Sequence, residues 1–243
     1  MTLVVVYGLI GAFALVFGAF WGSYFKIKEK IIGDFVAFGA GALIAALSFG
    51  LLEESYQLSG LYHTLLFFFL GGVLFVFGDY LIIKLGGRGH KEHYKTEETE
   101  GWAIVLGAIL DGIPESLALG VALLVGKGLG LLMMIAIFLS NFPEGISSAY
   151  DLLKAGQAKK KILSTWFLVA LSGFVFVILG YTIFGHIPQT ILGITEAIAA
   201  GALLSMIAST MMPQAYKESG FAASLLTVWG FLIIFWLSKL VGA

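Results

Sequence analysis

Two short segments place acidic residues and a proline inside otherwise apolar stretches of this sequence. They read DGIPE at 111–115 and SNFPE at 140–144. Within each segment the first and last residues are four apart, so on a helix Asp111 shares a face with Glu115. Ser140 shares a face with Glu144 in the same way. Oxygen ligands that converge from two helices are what a hard divalent cation requires.

Each of these segments also carries a proline directly before its glutamate. Proline cannot donate the helical hydrogen bond, and its ring clashes with the carbonyl four residues earlier. The sequence therefore predicts helices that are broken at Pro114 and Pro143, with the carbonyls of Leu110 and Leu139 released. Within a membrane, released carbonyls are tolerated only where they are buried or line a cavity.

A carboxylate at the centre of a bilayer costs about 2.5–3.5 kcal/mol on insertion scales. Asp111, Glu115 and Glu144 would repel one another, so they need protons or a cation. A divalent metal site is the main hypothesis, and three alternatives stay open. Protonated carboxyls could simply link the helices, or the same groups could form a pathway for protons or monovalent ions. An intramembrane aspartyl protease would pair Asp79 with Asp111, but it leaves both glutamates unexplained.

The composition indicates that the elements around these segments are membrane helices. Hydrophobic residues make up 59% of the 243 residues, charged residues make up 12%, and the mean hydropathy is +0.98. Soluble domains have roughly 45–50% apolar and about 25% charged residues. We therefore expect the lipid bilayer as a partner. The net charge of -1 gives no indication of nucleic acid, and the absence of cysteine excludes disulfides and thiolate ligands.

A membrane helix needs about 20 apolar residues, and eight windows of the sequence meet this requirement. They are 3–25, 33–55, 61–83, 102–125, 129–153, 162–184, 189–212 and 220–241. The N-terminal residues lack a basic region and a cleavage site, so the first window is predicted to remain as a membrane helix. The sequence thus predicts an all-α polytopic membrane protein, with one membrane domain over 1–243 and eight transmembrane helices.

The distribution of lysine and arginine predicts the orientation of these helices. Basic residues cluster after the first, third, fifth and seventh windows: Lys26, Lys28, Lys30, Lys84, Arg88, Lys91, Lys95, Lys154, Lys159, Lys160, Lys161 and Lys217. The opposite side has only Lys127 and Lys239. Because basic loops stay in the cytoplasm, both termini are expected outside and the loop 86–100 inside.

The two proline segments resemble the metal-binding fourth and fifth helices of the ZIP family of divalent-metal transporters, whose usual motifs are H-N-x-P-E-G and H-x-x-P-E. The stretches 37–55 and 196–216 resemble the second and seventh helices of that family. The resemblance implies a ZIP-like bundle, not an enzyme, that moves metal toward the cytoplasm. It implies no resident cofactor, since the metal is the transported substrate.

The sequence departs from the ZIP motifs at several ligand positions. Asp111 stands where histidine is usual, Gly112 replaces an asparagine, and Ser140 replaces a ligand of the fifth helix. The resemblance then implies one metal subsite of Asp111, Glu115 and Glu144, assisted by Ser140 or Asn141. The sixth window offers only Ser172 where many members place a glutamate, which argues against a second subsite. Without histidine, preference is expected to move from Zn²⁺ toward Mn²⁺, Fe²⁺ or Mg²⁺.

Further polar residues lie at the ends of the windows. Glu53 and Glu54 could gather cations at an entrance, or they could be ordinary solvated charges at a helix end. His90 and His93 could contact metal in the cytoplasm, although histidines in a charged loop are more often only part of the loop. Glu196 is expected at the outer interface. We expect a plasma (inner) membrane location and leave a homodimer open.

Overall fold

The computed structural model describes residues 1–84 and 97–241, and throughout these residues the regular structure is helical. The helices are α1 (Thr2–Tyr24), α2 (Glu29–Ala46), α3 (Glu53–Lys84), α4 (Glu97–Val125), α5 (Lys127–Lys154), α6 (Lys159–Phe184), α7 (Gln189–Met206), α8 (Met212–Ser219) and α9 (Phe221–Val241). Two π-helical segments, Leu47–Leu52 and Ile207–Met211, join α2 to α3 and α7 to α8.

In the described part of the chain, six helical segments are long and apolar enough to cross a membrane. They are Thr2–Tyr24, Glu29–Leu81, Gly128–Lys154, Lys159–Phe184, Gln189–Ser219 and Phe221–Val241, with a shorter apolar helix at Gly112–Val125. The chain is thus an integral, multi-pass membrane protein. The predicted windows at 33–55 and 61–83 fall in the single segment Glu29–Leu81, which is 53 residues long.

That long segment changes direction at Gly60. Its φ of 78° and ψ of 164° are not helical, and the helices on either side are otherwise continuous. Glycine adopts this conformation without a steric penalty because it has no Cβ atom. The backbone therefore turns between the predicted second and third windows without a loop, and the polar residues between them remain helical.

Glycines bring several helices into backbone contact. A Cβ added to Gly18 of α1 would run into the carbonyl of Phe142, and one added to Gly145 of α5 would run into that of Leu15. Equivalent close approaches join α2 to α9, α3 to α7 and α4 to α6. Lipid tails are as apolar as the side chains, so the hydrophobic effect does not drive helices together within the bilayer. Membrane helices associate through such close packing instead. These contacts fix α5, which carries Ser140 and Glu144, against α1.

The two internal prolines do not break their helices, contrary to the sequence-based prediction. Pro114 lies inside α4 and Pro143 lies inside α5, and both helices continue through them. The proline still removes one amide donor from each helix. At Pro143 the carbonyl left without that donor belongs to Leu139, and Gly39 of α2 packs directly against it. A neighbouring helix thus covers the gap in the hydrogen-bond ladder.

Candidate functional site

A buried polar contact between α4 and α5 joins the two proline segments. The hydroxyl oxygen of Ser140 lies 3.3 Å from Oε1 of Glu115 and 3.0 Å from the carbonyl oxygen of Ile137, so its single hydrogen is shared between these two acceptors. Glu115 is 2% exposed and Ser140 is 1% exposed. A carboxylate this deeply buried requires charge compensation. The structure therefore brings together two of the five predicted site residues by direct contact.

Glu144 lies one helical turn beyond Ser140 on α5 and is half-buried. Its backbone carbonyl accepts a hydrogen bond from Ser148 Oγ over 2.6 Å. Residues four apart occupy the same helix face, so Glu144 follows Ser140 along the face that meets α4. Helix spacing thus places Glu144 one turn away from the residue that contacts Glu115.

Asn141 is buried, and its side chain is tied to another helix. Its Nδ2 donates to the carbonyl of Gly11 in α1 over 3.2 Å, which leaves the side-chain oxygen as the atom able to bind a cation. Asn141 therefore joins α5 to α1, directly after Ser140 in the sequence.

A narrow cavity of ≈ 20 Å³ lies beside Asn141, where α1, α4, α5 and α6 meet. This is room for about one water molecule. Its polar lining comes from Ser116, Asn141 and Ser172, and Gly112 contributes only backbone. Ser172 donates its hydroxyl hydrogen to the carbonyl of Val169 over 2.7 Å. The residues that the structure describes around this cavity are uncharged.

Some predicted site residues lie outside the described part of the chain. The backbone of Asp111 belongs to α4, one turn before Glu115, but its side chain lies outside the described set. His90 and His93 lie wholly outside the described residues. Among the side chains that the structure describes, no group of three or more His, Asp or Glu is close enough to hold a metal ion. A metal site formed by Asp111 together with Glu115 and Glu144 thus stays a prediction.

The two glutamates predicted at an entrance have different surroundings. Glu53 is exposed and accepts a hydrogen bond from Gln57 Nε2 over 2.9 Å. Glu54 is half-buried. Glu196, expected at the outer membrane interface, is completely buried within the protein in α7. Sequence reasoning underestimated this residue, because its burial depends on how α7 packs against α3.

Comparison with known proteins agrees with the geometry of the two proline segments. The sequence pattern of the family described as "ZIP Zinc transporter" matches residues 83–238, more than half of the chain. The chain belongs to the ZIP zinc transporter family. Members of the ZIP family are transporters, which supports divalent-metal transport and a non-enzymatic role.

Individual relatives in the ZIP family are distant. "Zinc transporter ZIP6" from Homo sapiens and from Pongo abelii are each 26% identical over 134 residues, which is 52% of this chain and 18% of theirs. "Putative zinc transporter At3g08650" of Arabidopsis thaliana is 24% identical over 222 residues, or 90% of this chain and 35% of that protein. The chain therefore spans well under half the length of the relatives it matches.

Proposed function

We propose that this protein carries a divalent metal ion across the membrane toward the cytoplasm, through a site formed by α4 and α5. Asp111, Glu115 and Glu144 would be the charged ligands, and Ser140 and Asn141 the neutral ones. The observation that carries the proposal is the buried contact between Glu115 and Ser140. Membership in the ZIP family supports the same class of substrate.

The composition of the site favours an oxygen-binding ion. Its protein ligands are carboxylate, hydroxyl and amide oxygens, without histidine or cysteine. Such ligands suit Mn²⁺, Fe²⁺ and Mg²⁺, whereas zinc sites more often use nitrogen and sulfur. The polar side chain that α6 contributes beside Asn141 is the neutral Ser172, so we propose a single ion at the centre rather than a pair. We propose that the ion is bound with part of its water shell retained.

Metal uptake by reconstituted vesicles tests the proposal against the pathway for protons or monovalent ions. Purified protein in liposomes should take up radioactive Mn²⁺, and uptake should persist when ionophores collapse the proton and potassium gradients. If the carboxyls conduct only protons or monovalent ions, the vesicles will acidify or exchange potassium without accumulating Mn²⁺. That result would refute metal transport. The protease alternative has no support from a family of transporters.

Eight transmembrane helices with both termini outside remain our proposal for the topology. Gly60 divides the 53-residue segment Glu29–Leu81 into two lengths that each suffice for a span. The helix α4 has 29 residues, which also suffice for one span. The six candidate segments, one of them divided at Gly60, together with α4 would cross the bilayer eight times. We propose the plasma (inner) membrane as the location. A homodimer is compatible with this topology.

Single cysteines can test the orientation directly, because the chain has none of its own. An impermeant thiol reagent applied to intact cells should label cysteines placed at Gln57 or Gly126. It should not label cysteines at Gln157 or within 86–100 until the cells are opened, because these positions belong to the basic side. Labelling of Gln157→Cys from outside would reverse the orientation and the direction of transport.

A further inference from the structure

Glu196 is a buried acid with no role in the site on α4 and α5. Its side chain is 0% exposed, and neither carboxylate oxygen has a hydrogen-bond partner in the described part of the chain. Burying a charged group without a partner is strongly unfavourable. A carboxyl placed in this way in α7 therefore indicates that something binds it.

The surroundings of Glu196 are set by the contact between α7 and the beginning of α3. One turn earlier, a Cβ added to Gly193 would lie 2.8 Å from Leu58 Cβ and 3.1 Å from the carbonyl oxygen of Ser55. Because residues three apart share a helix face, Glu196 also faces α3. The charge that acts on it from there is the carboxylate of Glu54. Two acids on neighbouring helices thus lie within electrostatic reach of each other.

Hydroxyl groups occupy the same region because Gly60 turns the chain back on itself. The turn places Thr64 against Ser55, with 3.0 Å between their hydroxyl oxygens, and both residues are buried. Ser59 donates to the carbonyl of Ser55 over 2.8 Å, and Thr64 donates to that of Gly60 over 3.1 Å. The beginning of α3 therefore presents several oxygen atoms next to the face that packs on Glu196.

A bound divalent cation satisfies these groups better than a proton does. A protonated Glu196 would still carry an O–H group that needs an acceptor, and the described residues provide it with none. Two carboxylates balance the charge of a divalent ion, and hydroxyl or water oxygens can complete its ligands. Glu54 is only half-buried, so it can meet an ion arriving from solvent.

We propose that Glu196 and Glu54 form a second binding site for a divalent cation, with the hydroxyls of Ser55 and Thr64 as nearby oxygen ligands. We name it the α3–α7 site. It is separate from Glu115 and Ser140, and it would hold an ion at the entrance before transfer to them. The identity of the ion rests on the proposed function, whereas binding itself does not.

Counting bound Mn²⁺ tests this site without relying on transport. The purified full-length protein in lipid nanodiscs would be equilibrated with Mn²⁺ alone, and bound ions counted by electron paramagnetic resonance. Glu196→Gln keeps the size of the side chain but removes its charge, so this variant should bind one Mn²⁺ fewer per chain than the wild type. Glu29→Gln is the control, since Glu29 is an exposed acid paired with Lys154 and belongs to neither site. It should bind as many ions as the wild type.

Combining variants separates failure of this site from failure of the proposed function. Glu115→Gln should lose the central ion and keep the one at the α3–α7 site, and adding Glu196→Gln should remove both. If Glu196→Gln binds as many ions as the wild type, the α3–α7 site is refuted, whatever Glu115→Gln does. If Glu196→Gln does not fold, Glu54→Gln provides the same test, and unchanged binding by it would equally refute the site.

Discussion

Replacing Glu115 by glutamine should reduce Mn²⁺ uptake to the level of vesicles without protein. The substitution keeps the size of the side chain and an oxygen that can accept the hydrogen bond of Ser140. It removes one negative charge from a buried position, where that charge is needed to bind a cation. Loss of groups that only support a metal ligand costs about 10–100-fold, so loss of a direct ligand should cost at least about 100-fold. Glu144→Gln should have the same effect.

The control for these variants is the amount of folded protein in the membrane. Both glutamine variants should insert and purify like the wild type, since an amide can also link helices through hydrogen bonds. If Glu115 and Glu144 were merely protonated links between helices, glutamine would replace them well. Uptake close to that of the wild type in both variants would rule out the metal site.

Replacing Asp111 by histidine should shift the preference of the transporter toward Zn²⁺. Asp111 offers oxygen one turn before Glu115, and imidazole nitrogen is a better ligand for zinc. We expect the ratio of Zn²⁺ to Mn²⁺ uptake rates to rise by about tenfold, which corresponds to about 1.4 kcal/mol of differential binding. The ratio is the informative quantity, because zinc outcompetes manganese at most sites even before the change.

Both ions should be measured in the same reconstituted vesicles, at concentrations below saturation. Asp111→Asn is a useful companion variant. It removes the negative charge, but asparagine still offers a side-chain oxygen as its usual metal ligand. A ratio that stays constant in Asp111→His while both fluxes persist would mean that Asp111 does not touch the ion. The site would then consist of Glu115, Glu144 and the neutral groups of α5.

The lengths of the apolar runs predicted the positions of most helices. Within lipid, a spanning segment must satisfy all of its backbone hydrogen bonds internally, and a helix does so. The window 129–153 became Lys127–Lys154, and 162–184 became Lys159–Phe184. The same signal could not show that residues 56–59 stay helical, because hydropathy reports solvent preference and not backbone conformation. The turn at Gly60 and the two π-helical segments were likewise invisible to it.

The site was predictable in part for a similar reason. Spacing along one helix places Asp111 near Glu115 and Ser140 near Glu144 on their respective faces. It cannot show which residues meet across two helices, so the contact between Ser140 and Glu115 needed the structure. Glu196 gives the clearest example. Its position near the end of a window suggested an interface, but packing of α3 against α7 buries it.

The metal-binding chemistry of the proline segments stays a prediction, whereas the predicted break in the two helices was wrong. Proline does remove a donor and strain the preceding turn, which suggested broken helices. In the structure, Gly39 packs against the carbonyl of Leu139 that Pro143 leaves without its amide, and α5 continues. A contact of this kind between two helices is not contained in the pattern of a single helix.

Elemental analysis of the protein purified without chelator tests the central claim most directly. The wild type should carry a divalent metal, and Glu115→Gln combined with Glu144→Gln should lose the ion held between α4 and α5. Both proteins in this comparison should also carry Glu196→Gln, which removes the α3–α7 site. Any difference in metal content between them then belongs to the central site. A divalent metal in the parent protein, lost with the two glutamine substitutions, is the predicted result. Equal metal content with and without Glu115 and Glu144 would contradict the proposed site.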